Sequence, residues 1–351
     1  MSTAAESLPP WIAAQTRTLV QQRGHAWLLQ GPAGLGHYPL ALALAGAWLC
    51  ERAGPEGACG TCPSCHSIAV RTHADLRVLM PETYLLELGW PLGEKAQAEI
   101  DDKARKPSRE IRVDAVREAV EFCQRTNARN RGKVLVVFPA EDMNLITANA
   151  LLKTLEEPPG DTRFILATQA AHRLLPTVRS RCMVHTMRWP VAEEAVAWLA
   201  GQGLAEGQIP ALMRASGCRP AQALQMAQSG RDGAAWARFP RAMAAGDVAW
   251  VKDWSAAELV DALQKLCHDL CALAVGAPPR YFDAAELPPA PAQGHLRGLG
   301  DWGQSLAQTR RVVDHPWNAG LMTEALVSAA TMALHAAAPQ VPGTGRYPAR
   351  A

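Results

Sequence analysis

The feature that most constrains the fold of this chain is a short apolar run that leads through a glycine-rich turn into a longer apolar stretch. Residues 26–30 (AWLLQ) form the run, Gly31 to Gly36 the turn, and residues 40–49 are rich in Ala and Leu. A buried strand, a tight turn and a helix in this order are typical of the start of a β–α unit. Such units assemble into parallel sheets, so the first part of the chain is predicted to be α/β.

Further strands are predicted from other continuous apolar runs, because strands buried on both faces lack the polar alternation of half-exposed strands. These runs are residues 134–138 (VLVVF) and 164–168 (FILAT), and a fourth strand is predicted at residues 183–187 (MVHTM). Residues 144–157 carry apolar side chains at helical spacing and are followed by Pro158 and Pro159, which predicts a helix. The alternation predicts a doubly wound α/β domain over residues 1–187.

The rest of the chain lacks strand signals after residue 189. Residues 188–240 are predicted to form a small helical module and residues 241–338 a longer one, and the Pro- and Gly-rich tail 339–351 is expected to be disordered. Residues 81–110 contain three prolines and a charged stretch, EKAQAEIDDKARK, that interrupts the α/β pattern. We interpret residues 81–110 as a mobile surface insertion.

Composition excludes several classes of protein. Apolar residues make up 48%, charged residues 19%, and the net charge is +2, which excludes a disordered chain, a collagen-like repeat and a strongly basic protein that coats nucleic acid. The N-terminus lacks the pattern of a signal peptide, and the longest apolar run, residues 40–50, is too short to span a bilayer. We expect a soluble, cytoplasmic protein of two or three domains.

Four of the nine cysteines are grouped at the spacing Cys-x8-Cys-x2-Cys-x2-Cys; they are Cys50, Cys59, Cys62 and Cys65. Tetrahedral sulfur coordination suits Zn²⁺, and four thiolates leave no open position, so the pattern predicts a structural zinc site. Unliganded thiols are the alternative, and His66 is expected to lie outside the ligand set. The remaining cysteines are expected to be buried small apolar residues; they are Cys123, Cys182, Cys218, Cys267 and Cys271.

The glycine turn, Gly31-Pro-Ala-Gly34-Leu-Gly36, stands where a phosphate-binding Walker A loop would stand. That loop continues with Lys, which neutralises phosphate charge, and Ser or Thr, which ligates Mg²⁺, but here His37 and Tyr38 follow. The Asp expected after the strand 134–138 is replaced by Pro139, although Glu141 and Asp142 leave a shifted acidic pair as a minor alternative. We predict no ATP binding and interpret the glycines as structural.

Several motifs follow the glycine turn in a specific order: the cysteine spacing, NALLKTLEEPP at 149–159, TRFILAT at 162–168 and LLPTVRSRC at 174–182. With them the chain resembles the bacterial clamp-loader family of AAA+ proteins, strongly over 24–76 and 111–188. Residues 315–327 (HPWNAGLMTEALV) are more weakly similar to the collar domain of that family. The resemblance implies an AAA+-type α/β domain with an inserted zinc module (50–65), a helical lid (188–240) and an oligomerising collar (241–338).

The resemblance also implies a function. Family members that hydrolyse ATP keep the Lys, Thr and Asp, whereas this chain is similar to members that lack them but keep the zinc cysteines and Ser-Arg-Cys. It implies a non-hydrolysing subunit of the pentameric loader of the DNA polymerase III holoenzyme. The implied partners are the gamma/tau and delta subunits and, through the complex, the β sliding clamp and primer–template DNA.

Arg181 of Ser180-Arg181-Cys182 is implied by the resemblance to act as an arginine finger, supplied in trans to the ATP of a neighbouring subunit. A surface salt bridge is the alternative for Arg181, and Arg179 is a competing candidate for the finger. Thr168 occupies the position that senses the γ-phosphate in active relatives and is expected here to be a polar strand end.

The charged residues of the 149–159 motif are assigned no chemistry. Asn149 and Glu156 are expected to stabilise their helix, and Lys153 and Glu157 to pair at a separation of four. Two other functions remain open: an ATP-hydrolysing, gamma/tau-like subunit, and a freestanding zinc-dependent DNA-binding protein, which the near-neutral charge disfavours.

Overall fold

The structure, a computed structural model, describes residues 8–289, 295–313 and 318–337. The chain divides into two compact units, residues 1–198 and 199–351. The tail expected at 339–351 and residues 315–317 of the collar-like motif lie outside the described residues. Among the described residues, no helix combines the length and apolarity that crossing a membrane requires.

The first unit is built on a parallel sheet with the strand order β2-β3-β4-β1-β5. Its strands are β1 (Ala26–Gln30), β2 (Leu76–Leu79), β3 (Lys133–Val137), β4 (Thr162–Thr168) and β5 (Met183–Thr186). Strand β1 lies inside the sheet, where Leu28 is in register with Leu166 of β4 and Val184 of β5. The strands predicted from the apolar runs are confirmed, whereas β2 was not predicted.

Helices precede, connect and follow these strands. They are α1 (Pro10–Val20), α2 (His37–Leu49), α3 (Pro63–Ala69), α4 (Glu82–Glu87), α5 (Glu94–Asp101), α6 (Val113–Gln124), α7 (Leu145–Glu156), α8 (Pro176–Arg179) and α9 (Ala192–Gly201). The helix predicted at 144–157 is confirmed as α7. Its N-cap is Asn144, whose side chain accepts a hydrogen bond from the backbone N–H of Thr147 (3.0 Å).

Apolar side chains cover both faces of the sheet, because neighbouring residues of a strand point to opposite faces. Trp27 and Leu29 of β1 belong to the cluster that contains Leu44 of α2. Leu28 belongs to the opposite cluster, which contains Leu151 of α7. The α/β architecture expected for this part of the chain is therefore confirmed.

Residues 81–110 contain the helices α4 and α5, which the sequence did not predict, and the expectation that this surface insertion is mobile stays a prediction. The prolines do not interrupt the helices: Pro81 is the N-cap of α4, Pro91 lies between the helices, and Pro107 follows α5. Trp90, between the helices, is only 8% exposed. The segment is therefore packed onto the unit.

The second unit contains helices but no strand among its described residues. Beyond α9 it contains α10 (Ile209–Ala215), α11 (Pro220–Gln228), α12 (Gly233–Ala244), α13 (Ala256–Ala274), α14 (Leu296–Val312) and α15 (Ala319–Ala337). One apolar cluster extends from Ala215 to Leu334 and contains a stack of Trp236 on Phe282, with ring centroids 4.6 Å apart. The separation of this region into lid and collar stays a prediction.

The cysteines outside the group of four differ in burial. Cys123 and Cys267 are buried, as expected, and Cys182 and Cys271 are partly buried. Cys218 is exposed, so the expectation for this residue was wrong. Gly217 and Cys218 both have positive φ angles (64° and 65°) after the end of α10, and this left-handed surface turn directs the thiol away from the core.

Candidate functional site

The sulfur atoms of the four grouped cysteines converge on one point. All four lie within 4.8 Å of one another. The Sγ–Sγ distances are 3.8 Å for Cys50–Cys62, 4.0 Å for Cys59–Cys65 and 3.4 Å for Cys62–Cys65. A tetrahedral zinc ion with Zn–S bonds of about 2.3 Å separates its sulfurs by about 3.8 Å. The donor set and its spacing therefore fit a metal ion such as zinc.

Two helix ends position the cysteines. Cys50 is the C-cap of α2, and Cys62 is the N-cap of α3. Backbone N–H groups point at the sulfurs: that of Cys59 donates to Cys50 Sγ (3.2 Å) and that of Cys65 to Cys62 Sγ (3.4 Å). Hydrogen bonds of this kind stabilise the negative charge of a thiolate, which is the form that binds metal.

The thiols of the cluster differ in acidity. A hydrogen bond from the Thr61 backbone lowers the pKa of Cys59 to about 5, whereas burial raises the pKa of Cys65 to about 12. A metal ion would displace the remaining protons, so its affinity would fall with decreasing pH. His66 is exposed and lies outside the convergent group.

A buried polar network that the sequence did not reveal supports residues 50–65, called here the cysteine turn. The Ser64 hydroxyl donates to the carbonyl of Leu49 and accepts from His73 Nε2, both at 2.7 Å. His73 Nδ1 accepts from the backbone N–H of Asp75 (3.0 Å), so the ring is neutral with its proton on Nε2. The Asp75 carboxylate accepts from the backbone N–H groups at 128–129. The network connects the turn to the sheet.

Backbone conformation and close packing explain why glycine is needed in the turn after β1. Gly34 and Gly36 have φ angles of 85° and 90°, a region that favours glycine. A Cβ on Gly36 would lie 2.9 Å from Ile12 Cδ1, and one on Gly31 would lie 2.8 Å from Met187 Cβ. The turn therefore depends on glycine for backbone conformation and for close packing.

His37 begins α2 and is only 2% exposed, yet neither ring nitrogen has a hydrogen-bond partner among the described residues. Burial lowers the pKa of His37, and the nearby Glu141 carboxylate partly opposes this shift. Glu141 Oε1 accepts from the backbone N–H of Gln169 (3.0 Å), but Oε2 is buried and has no partner within the part of the chain that the structure describes. These groups lie beyond the carboxyl ends of the strands, where parallel sheets bind ligands.

Tyr38, the next residue of α2, is turned toward the segment 81–110. Its hydroxyl accepts a hydrogen bond from Trp90 Nε1 (2.5 Å), and its ring stacks on Phe138 with centroids 5.8 Å apart. Burial raises the pKa of Tyr38. Thr168, at the end of β4, is fully buried, and its hydroxyl accepts from the backbone N–H of Ala170 (3.1 Å).

Arg181 follows α8 and is held by an ion pair. Its Nε and Nη2 donate to Glu156 Oε2 (3.1 and 3.0 Å), and Nη1 donates to the Thr177 carbonyl (3.0 Å). The Arg181 side chain remains 32% exposed. The Arg179 side chain is exposed and has no hydrogen-bond or ion-pair partner among the described residues.

The predicted ion pair between Lys153 and Glu157 is not formed among the described residues. Glu157 is the C-cap residue of α7 with φ −123° and ψ 78°, so it has left the helical geometry that brings residues four apart together. The carboxylate of α7 that does form an ion pair is that of Glu156, with Arg181. Sequence spacing alone did not indicate this contact between distant positions.

Comparisons with known proteins agree on one family. A family model described as "DNA polymerase III, delta subunit" matches residues 13–190. A "DNA polymerase III subunit delta'" of Pseudomonas aeruginosa is 42% identical over 179 residues, 51% of this chain and 48% of that protein. The Escherichia coli protein of that name is 35% identical over 225 residues, 62% and 60% of the two chains.

A further relative, "DNA polymerase III subunit tau" of Escherichia coli, is 31% identical over 159 residues, 45% of this chain and 21% of that protein. The chain thus spans about half to three fifths of the length of the two delta-prime relatives.

Proposed function

Because the chain belongs to the family described as DNA polymerase III, delta subunit, we propose that it acts as a delta-prime-type subunit of a bacterial clamp loader that does not hydrolyse ATP itself. In this role it assembles with gamma/tau and delta subunits into a pentamer that opens the β sliding clamp and places it on primer–template DNA. The observation that carries the proposal is the set of side chains after the glycine turn.

These side chains cannot perform the tasks of a phosphate-binding loop. The turn needs an ammonium group next to the phosphates. His37 is buried and its pKa is lowered by that burial, so the imidazole is neutral at pH 7. The hydroxyl that would ligate Mg²⁺ is replaced by the phenol of Tyr38, whose oxygen accepts from Trp90. Nucleotide chemistry therefore belongs to neighbouring subunits.

We assign to Arg181 the contribution of this chain to that chemistry. A guanidinium is always charged and donates from a planar fork, which suits phosphate oxygens. Glu156 and the Thr177 carbonyl hold the Arg181 side chain in one orientation, while 32% of it stays exposed to a partner. Arg179, exposed and without a partner among the described residues, is the second candidate.

We assign a zinc ion to Cys50, Cys59, Cys62 and Cys65. Four sulfur ligands leave no position for a substrate, so the metal supplies folding free energy and no catalysis. By joining the end of α2 to the start of α3, it fixes the chain that leads into β2.

Reconstitution tests the proposal. The purified chain is mixed with gamma/tau and delta subunits, and the mixture is separated by gel filtration and assayed for clamp loading. A stable complex that loads clamps only when this chain is present supports the role, and the absence of any complex contradicts it.

An ATP-hydrolysing, gamma/tau-like role is the second candidate, favoured by the 31% identity with a tau subunit. Nucleotide titration separates the two roles, because a gamma/tau-like chain binds ATP. A freestanding zinc-dependent DNA-binding protein would remain alone in the gel-filtration experiment and would bind DNA without the other subunits.

A further inference from the structure

Residues 81–110, called here the insertion segment, contact Tyr38, one of the positions at which the chain departs from the nucleotide-binding pattern, and Phe138, which precedes Pro139, another of them. Trp90 Nε1 donates to the Tyr38 hydroxyl (2.5 Å), and the Tyr84 ring meets the Phe138 ring edge-on with centroids 6.1 Å apart. Tyr38 and Phe138 also stack on each other. We call this cluster the aromatic brace; its members are Tyr38, Tyr84, Trp90 and Phe138.

The aromatic brace joins two elements that a bound nucleotide would otherwise join. In a working phosphate-binding loop, the phosphates and Mg²⁺ connect the first turn of the helix to an acidic residue that follows another strand of the sheet. Tyr38 lies in the first turn of α2, and Phe138 directly follows β3. The connection is therefore made by side chains of the chain itself.

The insertion segment is closed at its base, which fixes the position of Trp90. Arg105 donates to both oxygens of Glu82 (2.5 and 2.7 Å) and to Glu99 (2.6 Å). The backbone N–H of Ser108 donates to the same Glu82 carboxylate (2.8 Å). Paired hydrogen bonds between a guanidinium and a carboxylate have a fixed geometry, so the two ends of the segment are held together.

We propose that the insertion segment is an internal brace that holds the start of α2 against the end of β3 in the absence of nucleotide. The inference rests on the proposed function, because it assigns to this segment the structural part that nucleotide plays in ATP-binding relatives. A subunit braced in this way keeps one conformation while its neighbours bind and hydrolyse ATP.

The hydrogen bond between Trp90 and Tyr38 provides a specific test. Replacing Tyr38 by Phe keeps the ring but leaves the buried indole N–H of Trp90 without its acceptor, which costs stability. Tyr84 offers a matched control, since its hydroxyl has no hydrogen-bond partner among the described residues and its ring contact would survive replacement by Phe.

The experiment is hydrogen–deuterium exchange of the full zinc-loaded chain, followed by mass spectrometry. The variants are Tyr38→Phe, Trp90→Phe, both together, and Tyr84→Phe. In Tyr38→Phe and in Trp90→Phe, we expect amides of α4, α5 and the first turn of α2 to exchange about tenfold faster than in the unmodified chain. A tenfold change corresponds to a loss of about 1.4 kcal/mol in the free energy of local opening. The double variant should exchange no faster than the single ones, and Tyr84→Phe should match the unmodified chain.

Exchange rates that are unchanged in Tyr38→Phe, or effects of Tyr38→Phe and Trp90→Phe that simply add, would overturn the brace. Zinc content is measured on each variant, so that loss of the fold is not mistaken for loss of the brace. Failure of the proposed function is seen separately: ATP binding by the unmodified chain contradicts the non-hydrolysing role, whatever the exchange rates are.

Discussion

At the scale of single residues, Arg181 carries the mechanistic part of the proposal. We expect Arg181→Ala to leave the chain folded and zinc-loaded, because its ion pair with Glu156 is partly exposed and contributes about 1 kcal/mol or less. Clamp loading and DNA-stimulated ATP hydrolysis by the reconstituted complex should fall. Arginine fingers contribute ~10³–10⁵ in rate in related enzymes, and the loss should be smaller here because a loader has several ATP sites.

Two further variants make the test of Arg181 specific. Arg181→Lys should restore little activity, since an ammonium cannot reproduce the planar fork of a guanidinium. Arg179→Ala is the matched control two residues away. If Arg181→Ala loads clamps at the unmodified rate while Arg179→Ala does not, the finger is Arg179.

His37 is a second residue whose chemistry can be tested. Burying two ring nitrogens without hydrogen-bond partners is unfavourable. His37→Phe should therefore not lower the free energy of unfolding at pH 7.5, and we expect a rise of up to about 1 kcal/mol. Burial holds the pKa of His37 in the folded chain below its ordinary value of 6.5. As the pH falls through 6.5 the unfolded chain therefore takes up the proton first, and stability is lost.

The His37→Phe variant should accordingly lose less stability between pH 7.5 and pH 5 than the unmodified chain. Urea unfolding followed by circular dichroism measures both. An equal pH dependence for His37→Phe would contradict the buried, neutral state of this ring. His73 and His185 also have a pKa lowered chiefly by burial, so part of the pH dependence should remain.

At the scale of elements, the cysteine turn between α2 and α3 carries a prediction about metal binding. We expect one zinc per chain, and Cys62→Ser should lose the metal and several kcal/mol of the stability of the first unit, because structural zinc contributes directly to folding. Metal analysis and thermal unfolding measure these effects. Cys218→Ser, at an exposed cysteine outside the cluster, should keep both zinc and stability. Pure protein without zinc would contradict the assignment.

The sequence predicted those elements whose signal is local. Strands β1, β3 and β4 coincide with continuous apolar runs, whereas β5 (MVHT) is a mixed and mostly exposed edge strand, and α7 begins at a capping Asn144 and ends before two prolines. Strand β2 was missed because its four residues, LRVL, are interrupted by Arg77. Helices α4 and α5 were not predicted because the prolines and the charged stretch were interpreted together as a surface insertion, although the prolines lie at or outside the helix ends.

The candidate site follows the same rule. The convergence of the cysteines could be predicted, since their spacing is short and has few geometric solutions. The hydrogen bonds that connect Ser64, His73 and Asp75, and the contact of Trp90 with Tyr38 across 52 residues, depend on the folded chain and leave no pattern in the sequence. The ion pair of Glu156 with Arg181 belongs to the same class.

At the scale of the whole molecule, the proposed function predicts that ATP does not stabilise the chain. A ligand at about 100 times its Kd stabilises a protein by about 2.7 kcal/mol, which raises the melting temperature by several degrees. We expect no shift with millimolar ATP and Mg²⁺ in thermal unfolding of the full chain. A gamma/tau subunit measured alongside provides the positive control. A shift that depends on ATP concentration would favour the gamma/tau-like alternative.

Strand β1 is synthesised first, yet it lies between β4 and β5, which are the last two strands of the sheet to leave the ribosome. The cysteine turn can form once Cys65 has been synthesised, whereas the strand pairs of β1 are complete only after Thr186 has been synthesised. At ~5–20 residues per second, synthesis of the intervening chain takes several seconds or longer. Until β4 has been made, the backbone groups on both edges of β1 have no strand partner, and the edge that faces β5 has none until Thr186 is made. Open edges pair with other chains. The nascent chain is therefore most vulnerable to strand exchange and aggregation after its cysteine turn has formed and before its last strand has emerged.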